Sequence, residues 1–121
     1  MIGPSQPVIV NVGDDVTLPC HLKPHTDAIG MTLEWSRLNL NPRFVHVRHD
    51  GQDLHVNQHP SYKGRTSLSI EGLKHGDISL HLSKVKPSDN GKYKCYSPDL
   101  NKDSTVQLVV GKCATVHVML T

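Results

Sequence analysis

The sequence predicts an all-β sandwich of about nine strands in one domain. Three observations carry this. Apolar and polar residues alternate in short runs broken by turn residues. No stretch shows helical periodicity of useful length. Cys20, Trp35 and the run Asp89-Asn90-Gly91-Lys92-Tyr93-Lys94-Cys95 follow one another at wide spacing.

The strands follow in order. Pro7 to Val12 opens the set, with Pro at its edge, and Gly13-Asp14-Asp15 turns the chain. Val16, Leu18, Cys20 and Leu22 alternate with Thr17, Pro19 and His21, so one side is buried. Lys23 to Gly30 is a loop. Leu33 and Trp35 alternate with Glu34 and Ser36, and Asn39 to Pro42 turns. Arg43 to His49 is the fourth strand; alternation puts Val45 and Val47 on one side and Phe44, His46 and Arg48 on the other. Asp50-Gly51 is a hairpin turn leading to a short edge strand within Gln52 to Asn57. Thr66 to Ile70 and Ile78 to Leu82 are expected to point Leu68, Ile70, Ile78, Leu80 and Leu82 inward. Lys86 to Asp89 is a tight turn. Lys92 to Tyr96, a polar loop from Ser97 to Asp103, and a strand through Val106, Leu108 and Val110 complete the plan.

The bulk composition fits. A chain of 121 residues is one domain long enough to bury a real core. Hydrophobic residues make up 36% and charged residues 20%, as in globular domains. A net charge of +2 is too small to argue for nucleic acid or an anionic membrane surface. No apolar run is long enough to span a bilayer, and Met1-Ile2-Gly3-Pro4 does not read as a signal peptide.

The order Cys, Trp, Tyr-x-Cys resembles the immunoglobulin sandwich. The resemblance implies a Greek-key fold in which Cys20 and Cys95 bridge the sheets, Trp35 packs on the bridge and Tyr93 ties down a corner. The extra strands between Trp35 and Cys95 mark the variable type. In the chain-entropy picture, a bridge across 75 positions is worth about 4.5 kcal/mol. Such a disulfide belongs to an oxidising compartment. Arg65 and Asp89 are expected to pair across the bottom of the sandwich, as in similar domains.

A closer resemblance rests on Gly13-x-Asp15-x-x-Leu18-Pro19-Cys20-x-Leu22, Gly30-Met31-x-Leu33-x-Trp35, Val45-His46-Val47 with Asp50-Gly51-Gln52-Asp53, and Tyr62-x-Gly64-Arg65-Thr66-x-Leu68. With Asp89-x-Gly91-x-Tyr93-x-Cys95, these look like the butyrophilin and myelin-oligodendrocyte-glycoprotein family, which is related to T-cell co-signalling ligands. The match spans about Pro7 to Val110. It implies a non-enzymatic, cofactor-free domain on the extracellular side of the plasma membrane. Its expected partner is a cell-surface protein on another cell, such as a lymphocyte receptor, and a homodimer is the alternative. A homophilic adhesion or myelin-type protein is the runner-up function. The segment Asp103-Ser104-Thr105-Val106-Gln107 lacks the Phe/Trp-Gly-x-Gly bulge of rearranged antigen receptors, which argues against an antibody or T-cell-receptor chain.

On this plan the domain runs 7–110, after a lead of residues 1–6. A tail of residues 111–121 would be a stalk, a strand added to another copy, or appended sequence. Any membrane link would come from an anchor segment beyond an ectodomain fragment. Cys113 is left over and is a candidate intermolecular thiol.

Function is expected on the outer side of the Trp35-bearing sheet. Alternation assigns Glu34, Ser36, Phe44, His46, Arg48, Lys94, Tyr96 and Gln107 to that side. Tyr96 is expected near Phe44, the only Phe in the chain. Aromatic residues with Arg make the centre of many interfaces. Asp99, Leu100 and Asn101 add a loop at the tip.

No Ser/His/Asp or Cys/His trio has a recognised context. Nine histidines invite a metal, yet none has ligand spacing with a Cys or carboxylate. Their protonation would raise the charge from +2 to +11, so acid is expected to alter self-association.

Overall fold

The computed structural model describes residues 1–111. It contains β1 (Val8–Asn11), β2 (Val16–Leu18), β3 (Leu33–Ser36), β4 (Phe44–His49), β5 (Gln52–Leu54), β6 (Thr66–Ser67), α1 (Ile70–Leu73), β7 (Leu80–Leu82), β8 (Gly91–Ser97) and β9 (Lys102–Gly111). The front sheet has the order β1-β9-β8-β3-β4-β5, and the back sheet β2-β7-β6. The core between them centres on Trp35, whose indole N–H donates to the Ile78 carbonyl at 2.9 Å. Cys20 and Cys95 join the sheets beside it. Truncating so large a buried ring costs about 3–5 kcal/mol.

The start of the chain joins both sheets. Ile2 exchanges two backbone hydrogen bonds with His21 at the back, whereas β1 pairs parallel with β9 at the front. The expected lead of residues 1–6 thus supplies a bridge to the sandwich. Residue 111 ends β9. Cys113 and the rest of the expected tail lie outside the described residues.

Two local expectations change. The strand expected from Thr66 to Ile70 stops at Ser67, because Ser69 caps α1 by accepting the Gly72 N–H at 3.0 Å. Ile70 is therefore half exposed, and Leu73 takes the core position.

The second change lies in β4. Leu33 pairs with Arg48, Glu34 with Val47 and Trp35 with His46, but Ser36 pairs with Phe44. One extra residue on β4 makes a bulge, and Val45 and His46 both lie inward. Facing residues in an antiparallel pair share a side. His46 and Arg48 thus share the inner side with Trp35 and Leu33, and Val47 lies outside with Glu34. The expectation that His46 and Arg48 lie on the outer face is corrected. Only Phe44, beyond the bulge, keeps its expected side.

Candidate functional site

The platform beneath the face is a buried polar lock. Arg65 donates to both Asp89 oxygens, at 2.8 and 2.9 Å, and to the Ser61 and Ser83 carbonyls. Burial pushes the Asp89 carboxyl up, but the Arg65 fork and the Lys86 N–H outweigh it and hold the carboxyl below its usual range. The Tyr93 hydroxyl donates to the Asp89 carbonyl at 2.6 Å and contacts the Tyr62 hydroxyl at 2.8 Å. Burial, then the bond to Tyr62, raises the Tyr93 phenol far above its usual range.

Sequence reasoning missed Arg37. It donates to the Tyr62 hydroxyl and to the Ser88 and Asn90 carbonyls, and its guanidinium lies 5.1 Å from the centre of the Tyr93 ring. A signal was present: Arg37 continues the inward parity of Leu33 and Trp35. Gly91 makes room for it. A β-carbon there would sit 2.6 Å from an Arg37 nitrogen, at a φ of +147°.

His46 is a second structural residue. Its ring is bonded to Thr66 of the back sheet at 2.9 Å and to Asp53 of β5 at 3.1 Å. Burial lowers its pKa, and Asp53 only partly offsets this. Arg48 donates to the Ile29 carbonyl. Both histidine and arginine therefore brace the sandwich from inside.

What remains outside is a smaller face in three rows. Tyr96 lies opposite Glu34 and Asp103, and Val47 lies on the far side of Glu34. Lys94 lies opposite Ser36 and Thr105, and Phe44 lies on the far side of Ser36. Lys92 lies opposite Gln107. Phe44 and Tyr96 share the face, but β3 lies between their strands, so they are less close than expected. Both rings are half-buried, with Arg43 4.7 Å from the centre of one and Lys94 5.3 Å from the other. Ser36, on the strand between them, is buried, so it offers the face little contact surface.

The loop at the tip is tied to the sheet. Asp99 accepts the Thr32 N–H at 3.0 Å, and Asn101 accepts from the Tyr96 hydroxyl at 3.4 Å. Leu100 is 37% exposed, an apolar contact at the rim. Among the described residues, no group of three or more His, Cys, Asp or Glu side chains could hold a metal.

The model of the immunoglobulin V-set domain family matches residues 3–117. The chain belongs to the immunoglobulin V-set family. This V-set chain is 38% identical to bovine butyrophilin subfamily 1 member A1 over 79% of its own length, covering 18% of that protein. It is 36% identical to macaque (Macaca fascicularis) myelin-oligodendrocyte glycoprotein over 91% of its length, covering 45% of that protein. Thus it spans less than half of these relatives. Among solved structures it is similar to bovine butyrophilin, with a TM-score of 0.80, 34% identity, and coverage of 89% of this chain and 52% of that one. It is also similar to the human B7-H4 IgV-like domain, with a TM-score of 0.77, 25% identity, and coverage of 88% and 93%. V-set domains of the butyrophilin and myelin-oligodendrocyte-glycoprotein type are binding modules, not enzymes.

Proposed function

We propose that this V-set domain is the extracellular binding module of a butyrophilin-like immune surface protein and modulates T-cell responses through its front sheet. The observation that carries the reading is the placement of Phe44 and Tyr96. Both are half-buried on the outer side of the front sheet, whereas His46 and Arg48 of the same sheet are buried and used internally. Rigid aromatics lose little conformational entropy on docking, so they suit the centre of an interface. Relationship to butyrophilins and to B7-H4 supports a protein partner on an immune cell. Weak single-site binding between two membranes would be strengthened by avidity.

A tetramer of the domain applied to a panel of leukocytes tests the reading. Labelling of a T-cell subset is expected. Labelling confined to non-lymphoid cells, or absent altogether, would remove the T-cell assignment.

A further inference from the structure

The bulge that turns His46 inward also ties it into a chain of hydrogen bonds. Its Nε2 faces the Asp53 carboxylate on β5 at 3.1 Å, and its Nδ1 faces the Thr66 hydroxyl on β6 at 2.9 Å. A carboxylate only accepts, so Nε2 carries the proton of the neutral ring and Nδ1 offers its lone pair. The Thr66 hydroxyl therefore donates to Nδ1. That hydroxyl in turn accepts from the Gln58 side-chain amide at 2.9 Å. The second amide hydrogen goes to the Val45 carbonyl at 2.9 Å. The donors thus run in one direction, from Gln58 through Thr66 to His46.

Gln58 also holds the outer face in place. It forms a parallel bridge with Phe44. The next residue, His59, donates its backbone N–H to the Phe44 carbonyl at 2.8 Å. Residues 58 and 59 therefore grip β4 at the bulge, through Phe44 and Val45. Gln58 and His46 are both buried, so neither trades these bonds for water.

We propose that His46 is a proton-sensitive positioning residue for Phe44, acting through Thr66 and Gln58. Its bearing on function rests on the reading of Phe44 as a contact residue. A second proton on the ring turns Nδ1 from acceptor into donor. The Thr66 hydroxyl must then rotate to accept from it. Its oxygen faces two donors, and its own hydrogen loses its acceptor. Gln58 loosens from Thr66, and its hold on Val45 and Phe44 slackens. The face is set at neutral pH and released in mild acid.

The surroundings of the ring fix the window. Burial opposes the second proton most, and the pKa is lowered from 6.5. Asp53 favours the proton. His55 opposes it, as does Arg48, which lies 3.7 Å from the same carboxylate. Across β3 the ring's residue pairs with Trp35, which carries no charge. The chain of bonds is therefore complete above 6.5 and opens as pH falls through the lowered value.

Phe44 is the only phenylalanine, so a domain labelled with fluorophenylalanine carries one probe, at the site itself. Fluorine NMR from neutral pH to about 5 should show one sigmoidal step with its midpoint below 6.5. His46→Gln should flatten it. Thr66→Val keeps the ring but cuts the chain, and should flatten it too. Thr66→Ser, which keeps a hydroxyl, should retain the step. So should His59→Gln, which removes the other histidine beside Phe44. A wild-type domain without a step overturns the proposal. A step that survives His46→Gln, or vanishes in His59→Gln, assigns the titration elsewhere and overturns it as well. Survival in Thr66→Val shows the ring acting directly by its charge, and the chain falls. If Thr66→Val does not fold, His46→Gln and Thr66→Ser still decide, since only the second should keep the step. No partner enters this measurement. A flat titration removes the coupling and leaves the front-face reading standing, whereas loss of T-cell labelling does the reverse.

Discussion

Asp89→Ala is the most informative perturbation of the scaffold. The carboxylate is almost fully buried and receives two N–H donors from Arg65 and one from the Lys86 backbone. Removing it leaves the Arg65 guanidinium, itself only 10% exposed, without its counter-charge. Breaking one side of such a buried pair costs about 3–5 kcal/mol. Loss of the cap on the Lys86 amide is part of that cost, worth about 1 kcal/mol. At roughly 4 °C per kcal/mol for a domain of this size, the melting temperature should drop by about 12–20 °C. Replacing both partners, as in Arg65→Met with Asp89→Leu, removes the stranded charge and should cost less than Asp89→Ala alone. The assay is thermal and urea unfolding of the disulfide-intact domain, taken as a double-mutant cycle. If the double replacement costs the sum of the two single ones, the pair is uncoupled and this account of the lock is wrong.

Other outcomes follow from the same structure. Gly91→Ala should destabilise by about 1–3 kcal/mol, since its β-carbon meets a guanidinium fixed by three hydrogen bonds at a left-handed φ; an unchanged melt would show that Arg37 moves freely. His46→Ala should lower stability by about 1–3 kcal/mol, whereas Phe44→Ala should change it less. Stability should fall in two acid windows. The ring of His46 is buried with a lowered pKa, so its contribution is complete above 6.5 and declines as pH falls from there toward the lowered value. The depressed carboxyl of Asp89 gives a contribution complete above 3.8 and lost as pH falls through its folded value. A pH series of urea melts checks both, and His46→Gln should erase the upper window.

The sandwich was legible because its determinants are local or widely spaced but singular. Alternation in β2, β3, β8 and β9, with one Trp between two Cys, leaves few arrangements. Face assignment in β4 was not legible. A one-residue bulge against Trp35 and Ser36 moves His46 and Arg48 from outside to inside, and nothing in Val45-His46-Val47-Arg48 announces it. Polar residues there look solvent-facing until Thr66, Asp53 and Ile29 are seen to supply their partners. Arg37 was hidden differently. Its parity pointed inward, but burial of an Arg makes sense only once Tyr62, Ser88 and Asn90 converge on it from distant segments. The helical turn after β6 replaced a strand because Ser69 offered a cap, which local alternation through Leu68 and Ile70 disguised. Phe44 and Tyr96 came out on the expected face because one lies past the bulge and the other on an unbroken strand.

Binding is proposed to run through the outer face of the front sheet. Tetramers of the wild type, Phe44→Ala, Tyr96→Ala and His81→Ala compare the two outer faces on the same cells. His81 is exposed on the back sheet, where its side chain, among the described residues, is hydrogen-bonded to Thr17 alone. Each front-face variant should lose most of its labelling while melting within about 1 kcal/mol of wild type, and His81→Ala should label normally. Intact labelling by both Phe44→Ala and Tyr96→Ala, with loss in His81→Ala, would contradict the account.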